Sequence, residues 1–205
     1  MKRFASLKML LVLAGGLMIS ETVAPVTPPD NRQSDFAQAL LAKGPAAQLG
    51  DAASVYDWLI GSWDVRVIDY GAGGAKREST GEWHFAWVLE GRAVQDVWIS
   101  PPRPLRDSSP PQPGNRYGTT LRVYDAGIGA WRVMWNNPVS GAHDELTARR
   151  KGNDIVQEGR NQEGDPIRWV FTDITRDSFR WYGERSPDGG KTWRIEAEFF
   201  GKRKS

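Results

Sequence analysis

The sequence has no cysteine and only two histidines among its 205 residues. The first absence excludes a disulfide framework, thiol chemistry and a lipid-anchored N-terminal cysteine. The second leaves too few imidazoles for a histidine metal site, which draws on two or three convergent rings plus carboxylates. No metal and no cofactor are expected. Long apolar runs are nearly absent too. The one that exists, residues 9–19, is 11 residues long, too short to span a bilayer comfortably. Nor does one sign of charge dominate, since 27 Lys and Arg stand against 25 Asp and Glu.

That single apolar run follows Lys2, Arg3 and Lys8 and precedes Thr22-Val23-Ala24, a small-residue cleavage site with Pro25 after it. Residues 1–24 therefore read as a signal peptide, and the mature protein as periplasmic or secreted, without stable membrane insertion after cleavage. Losing the leader removes three basic residues and Glu21. The formal charge falls from +2 to about 0. The basic pI belongs mostly to the leader, so a nucleic-acid partner is not expected despite the mix of aromatic and basic residues. The remaining chain of about 181 residues fits one domain with a real core. Its oligomeric state is not readable.

What the chain has in abundance is tryptophan. Of ten, nine fall between Trp63 and Trp193. They sit in segments with a two-residue period, the signature of half-buried strands. The period predicts strands over 62–70, 78–89, 92–100, 117–124, 131–137, 143–150, 154–160, 167–174, 178–184 and 193–202. Gly, Asp, Asn and Pro turn chemistry separates them. One long loop, 101–116, holds six prolines. Ahead of the strands, 25–53 reads as a Pro-rich spacer with a short helix over 34–43, stopped by Gly44-Pro45. A second short helix is expected from Ser54 as N-cap to Gly61, so that a single domain occupies 54–205. Ten consecutive antiparallel strands cannot stay flat. The expected fold is all-β, an up-and-down barrel or a two-sheet clam. No repeat of 20–50 residues suggests a propeller.

Alternation proposes an inner face. Trp83, Phe85 and Trp87 share one side, as do Val97 and Ile99, Leu121 and Val123, and Trp131, Val133 and Trp135. Trp169 with Phe171, Phe179 with Trp181, and Trp193 with Ile195 continue it. Glu82, His84, Arg122, Arg132, Arg168, Arg180, Arg194 and Glu196 fall opposite. Each buried ring removes roughly 150–250 Å² from water, enough to drive collapse. Candidate ligand-binding residues are Trp83, Trp87, Arg122, Trp135, Trp169 and Trp181, with Trp135, Trp169 and Trp181 as cavity walls. Gln95 joins them as the odd polar residue on an apolar-parity face, bonded either to backbone or to a ligand. Were the polar face to point inward, His84, Asp96, Arg122 and Asn136 would line the cavity together.

His84 and Asp96 are the catalytic candidates, as a general base and its partner across neighbouring strands. The plainer reading makes His84 a rim residue. The turn decides: a two-residue turn at Glu90-Gly91 sets Asp96 opposite Phe85, and a three-residue turn or bulge brings His84 and Asp96 to one face. His143 is expected to be exposed. The segments 149–151 and 161–165 read as solvated loops.

Gly61-Ser62-Trp63, preceded by a short helix, resembles the G-x-W signature of lipocalins and related calycin barrels. Ten strands are similar to the fatty-acid-binding and nitrobindin branch. Residues 56–63, 81–98 and 117–125 further resemble an uncharacterised bacterial lipocalin-like family, over about 54–202. The resemblance implies a ten-stranded calycin-like barrel in which Trp63 plugs the closed end. It also implies that a basic residue of the last strand, one of Arg194, Lys202 or Arg203, crosses that ring. It implies no activity. Haem-binding relatives carry a glycine-rich stretch after the motif; Asp64-Val65-Arg66 departs from it. Separately, Ser186-Pro187-Asp188-Gly189-Gly190-Lys191-Thr192-Trp193 resembles the Asp box of sialidases. One copy implies a structural hairpin built on Asp188 and Trp193, not a glycosidase.

The expected function is an exported barrel binding a small hydrophobic or aromatic molecule. Two alternatives stand beside it: an isomerase, lyase or hydrolase acting on such a molecule by acid–base chemistry, and an interaction module with a filled barrel presenting the 101–116 loop.

Overall fold

The computed structural model describes residues 31–106 and 114–205, with the backbone alone at 31–34. Residues 1–24, expected to be a leader, residues 25–30 of the expected spacer and residues 107–113 of the Pro-rich loop lie outside the described residues. Among the described residues no helix is long and apolar enough to cross a membrane.

Ten strands follow one another around a closed antiparallel barrel, each bonded to its sequence neighbours and the last to the first. They are β1 (Gly61–Tyr70), β2 (Lys76–Val88), β3 (Ala93–Ser100), β4 (Arg116–Asp125) and β5 (Ala130–Asn137), then β6 (Ala142–Lys151), β7 (Asp154–Arg160), β8 (Pro166–Thr172), β9 (Ser178–Arg185) and β10 (Arg194–Arg203). Closure gives every strand a neighbour on both sides, so backbone groups without a ladder partner are confined to overhanging strand ends. The order is the one the two-residue period predicts, and every strand boundary falls within two residues of its predicted place.

The N-terminal segment plugs the end where β1 begins. Helix α1 (Asn31–Leu40) starts and stops three residues before the predicted span. It stops because residues 40–42 bond to the end of β2: Leu89 N–H donates to Leu40 O at 2.9 Å and Ala42 N–H to Trp87 O at 2.8 Å. Two 3₁₀ segments follow, Ala47–Val55 and Asp57–Leu59. Ser54 is not an N-cap. It lies inside the first segment, and its hydroxyl donates back to Asp51 O at 2.7 Å.

These segments push Tyr56 and Leu59, both fully buried, into the barrel. Tyr56 meets Trp131 edge-on at 5.2 Å, and Trp58 meets Phe171 and Phe179 at 5.8 Å. Trp63 donates its indole N–H to Leu59 O at 2.8 Å. Arg203 crosses Trp63 with its guanidinium 4.1 Å from the ring, and donates to Ile60 O at 2.8 Å and Trp58 O at 2.6 Å. Of the three basic candidates, Arg203 holds that place. Gly61 sits at φ +124°, and a Cβ there would stand 2.8 Å from the Arg203 guanidinium, which accounts for the glycine of the motif.

Register fixes which side chains share a face. Across β2 and β3, Trp83 pairs with Trp98, Phe85 with Asp96 and Trp87 with Val94. Across β3 and β4, Asp96 pairs with Thr120 and Val94 with Arg122. Val94, Asp96, Trp98, Thr120 and Arg122 therefore face inward. The expectation that Val97, Ile99, Leu121 and Val123 do so is corrected. Both faces of β3 and β4 carry apolar residues, so hydrophobicity alone cannot choose between them. Trp131, Val133 and Trp135 do face inward, as do Trp169, Phe171, Phe179 and Trp181.

The inward placement of Trp193 and Ile195 is also corrected. Ile195 pairs with Glu184, an outer-wall residue, and a bulge between Ile195 and Ala197 resets the alternation. Trp193 packs outside, 4.3 Å from the Arg168 guanidinium.

Candidate functional site

The closed half of the barrel is filled by rings; the other half is hollow. A cavity of about 290 Å³ lies towards the end where β1 stops and β4 starts. Its wall consists of Trp83, Trp98, Trp135, Trp169, Trp181 and Phe199. Polar groups come from Arg116, Thr120 and Arg122 on β4 and Asn137 on β5, with Ser140 and Ala142 at the mouth. Glycine makes room for this wall. At Gly118, a Cβ would stand 2.4 Å from the tip of the Trp135 ring, so any larger residue would drive that ring into the hollow.

The rings touch one another in stacked and tilted pairs. Trp181 lies 4.5 Å and Trp98 4.7 Å from Phe199, and Trp83 lies 5.3 Å from Trp98. Such contacts hold flat faces in fixed orientations. The volume sits near the lower end of small-molecule pockets, which run from about 300 to 1,000 Å³.

Beneath the cavity Arg122 and Asp96 form an ion pair of 2.5 Å, with side chains 1% and 0% exposed. Asp96 also accepts the Thr120 backbone N–H at 3.2 Å. The guanidinium lies 5.2 Å from the Tyr56 ring and 5.5 Å from Phe85. Burial pushes the Tyr56 phenol well above its ordinary value, with Arg122 pulling the other way, and its hydroxyl donates to Gln157 at 3.2 Å. Nearer the mouth Arg116 donates to Asp69 at 2.6 Å, and its guanidinium stands 5.8 Å from the Phe199 ring. Asp144 pairs in register with Trp135 and so faces inward; burial, the largest cause, raises its pKa.

The sequence-derived candidates divide. Trp83, Trp135, Trp169, Trp181 and Arg122 line the cavity together. Trp87 faces inward at the plugged end, 6.2 Å from Trp131, with its N–H on Asp57 at 3.2 Å. Gln95 is on the outer wall, donating to Thr119 Oγ1 at 3.0 Å, which is the consequence of the β3 register. His84 and Asp96 do not meet. The four residues between Val88 and Ala93 keep the register of a two-residue turn, so His84 faces out opposite Val97 while Asp96 faces in. Asn136 pairs with His143 on the outer face. The lining residues Trp98, Arg116, Thr120, Asn137 and Phe199 were not singled out from the sequence. The first and third follow once β3 is turned over; Arg116 was hidden at the end of the Pro-rich loop.

Outside the barrel His84 joins a different group. Its Nδ1 lies 2.9 Å from the Ser62 hydroxyl and its Nε2 3.0 Å from Glu82. The Glu82 carboxylate also accepts from Arg103 through the backbone N–H at 2.8 Å and the guanidinium at 2.7 Å, and Lys204 lies at 3.4 Å. Arg103 foremost holds the Glu82 carboxyl far below the usual carboxylate range. The group ties the helical turn Arg103–Arg106 to the wall. None of Ser62, His84 or Glu82 lines the cavity. A wider depression, about 670 Å³, runs over the outer side of β1, β2, β9 and β10; none of the unpartnered buried polar atoms belongs to its lining.

The 186–193 segment forms the expected tight hairpin. Asp188 accepts the N–H groups of Lys191 and Thr192 at 3.0 and 2.9 Å and the Thr192 hydroxyl at 2.7 Å. These bonds, the Thr192 backbone first, bring its pKa down to about 2.

No family model and no curated protein matches the chain. A solved structure shares its fold. The S-type phycobiliprotein lyase CPES from Guillardia theta superposes with a TM-score of 0.50 at 12% identity, over 75% of this chain and 93% of that one. Two others, EF1p2_mFAP2b bound to DFHBI and a redesigned beta barrel, have TM-scores of 0.35 and 0.30 at 13% identity. They cover 73% and 80% of this chain and 97% and 99% of theirs. The closed ten-strand meander and the Trp63 plug fit the calycin-like barrel that the resemblance implies, and the lyase shares the barrel fold.

Proposed function

We propose that this chain binds a small planar apolar or aromatic molecule in the hollow half of its barrel, after export to the periplasm or beyond the cell. The observation that carries the reading is the 290 Å³ cavity walled by five tryptophans and Phe199. Flat, rigid rings that already contact one another leave a slot suited to another flat ring, and apolar burial supplies roughly 25 cal/mol per Å². A filled barrel is disfavoured by that volume. An enzyme built on His84 and Asp96 is disfavoured by their positions on opposite sides of the wall.

N-phenyl-1-naphthylamine tests the binding reading. Its emission should rise saturably with one site, with energy transfer from tryptophan. Ala142→Trp, which blocks the mouth, should abolish that rise without altering the far-ultraviolet circular dichroism. A dye that does not bind, or that binds the blocked variant equally, contradicts the proposal. Export rests on the leader, 1–24. N-terminal sequencing of the protein from its own cells should begin near Pro25; a chain still starting at Met1 contradicts it.

A further inference from the structure

Five buried side-chain polar atoms have no hydrogen-bond partner among the described residues: the indole nitrogens of Trp83 and Trp98, Nε of Arg122 and Arg185, and the Gln157 amide nitrogen. All five are donors. Arg185 Nε has the Glu196 carboxylate at 2.9 Å as an ionic neighbour. Of the other four, Trp83, Trp98 and Arg122 belong to the cavity wall. An unmatched buried donor costs about 1–3 kcal/mol, so three of them behind one wall make the surroundings of this hollow rich in donors and poor in acceptors.

The ionisable groups agree with this. Among the described residues the lining contains two guanidinium groups, Arg116 and Arg122, and no carboxylate, while Asp144 faces inward beside Trp135. Asp69 and Asp96 stand beside them, each engaging one terminal nitrogen. A guanidinium carries five N–H donors, so each keeps some uncommitted. Thr120 and Asn137 add side chains able to bond an oxygen. The volume, about 290 Å³, suits a guest of two or three rings.

We infer that the ligand is an aromatic oxyacid of the carboxylate class. Its ring lies among the tryptophans. Its anion is held by Arg116, with the Arg122 charge further along the same wall. This rests on the reading of the cavity as a binding site, and it adds the charge of the guest.

Isothermal titration with 2-naphthoate and 2-naphthamide, which share a ring system and differ in charge, tests it. The wild type should bind the acid about tenfold or more tightly than the amide, the worth of one charge-assisted bond. Arg116→Met should remove that preference by weakening the acid alone, and Arg116→Lys should retain part of it. Arg77 bonds Asp69 at 3.0 Å and keeps that carboxylate paired in both variants, so the fold should persist, checked by Tm. Equal binding of acid and amide by the wild type overturns the inference, as does a preference that survives Arg116→Met. If neither compound binds, the cavity reading falls and takes this one with it.

Discussion

Asp96 and Arg122 hold an ion pair 2.5 Å long on the inner wall of the barrel, surrounded by aromatic rings and closed to solvent. Removing both charges from water is expensive, and their mutual attraction only offsets that cost. The pair therefore matters more when broken than when replaced whole.

Asp96→Leu should cost about 3–5 kcal/mol in urea unfolding, because it leaves a buried guanidinium uncompensated. The double variant Asp96→Leu with Arg122→Met should recover most of that loss, since neither charge remains. A single variant as stable as the wild type would show that water reaches the pair.

Arg203 locks the plug. Its guanidinium covers Trp63 and bonds two carbonyl groups of the N-terminal segment. Arg203→Ala should lower stability by about 2–4 kcal/mol through the lost stacking and charged bonds. The 3₁₀ residues ahead of β1 should exchange amide hydrogens faster than the strands do. Uniform acceleration across the barrel would argue that the contact is not local to the plug.

Asp144 faces inward, and its folded pKa is raised by burial. The folded state therefore holds its proton more tightly than the unfolded chain does. Stability from this group falls as pH rises from the unfolded value, about 3.9, through the raised one. Asp144→Asn should raise Tm at pH 7, and the gain should vanish below about pH 4. A gain independent of pH would contradict the assignment.

Asp188 titrates the other way. Its folded pKa is lowered to about 2, so its contribution is present above the unfolded value of about 3.9 and lost as pH falls through 2. Asp188→Asn should speed amide exchange at Lys191 and Thr192 at neutral pH and leave the remote strands unchanged. Unaltered exchange at those two amides would sink the account of the hairpin.

Strand order and boundaries were legible because period-two patterning and turn residues are local properties. Gly61, Trp63 and the Asp188 hairpin were legible for the same reason. The faces of β3 and β4 were not, because Val97, Ile99, Leu121 and Val123 make the outer wall as apolar as the inner one. Only the register from Trp83 to Trp98 settles it. Choosing Arg203 over Arg194 and Lys202 required knowing where the last turn of β10 meets the plug. The hollow itself is a difference between barrel volume and side-chain volume, which no stretch of sequence displays. The Ser62–His84–Glu82 group needed the 101–106 segment folded back on the wall.

The indole N–H resonances test the central claim most directly. The chain has ten, one per tryptophan. Titration with 2-naphthoate, followed by ¹H–¹⁵N correlation spectra, should shift the signals of Trp83, Trp98, Trp135, Trp169 and Trp181. Those of Trp58 and Trp63 in the plug and Trp193 on the outer wall should stay in place. Shifts confined to Trp193, or to the plug, would contradict a binding site inside the barrel.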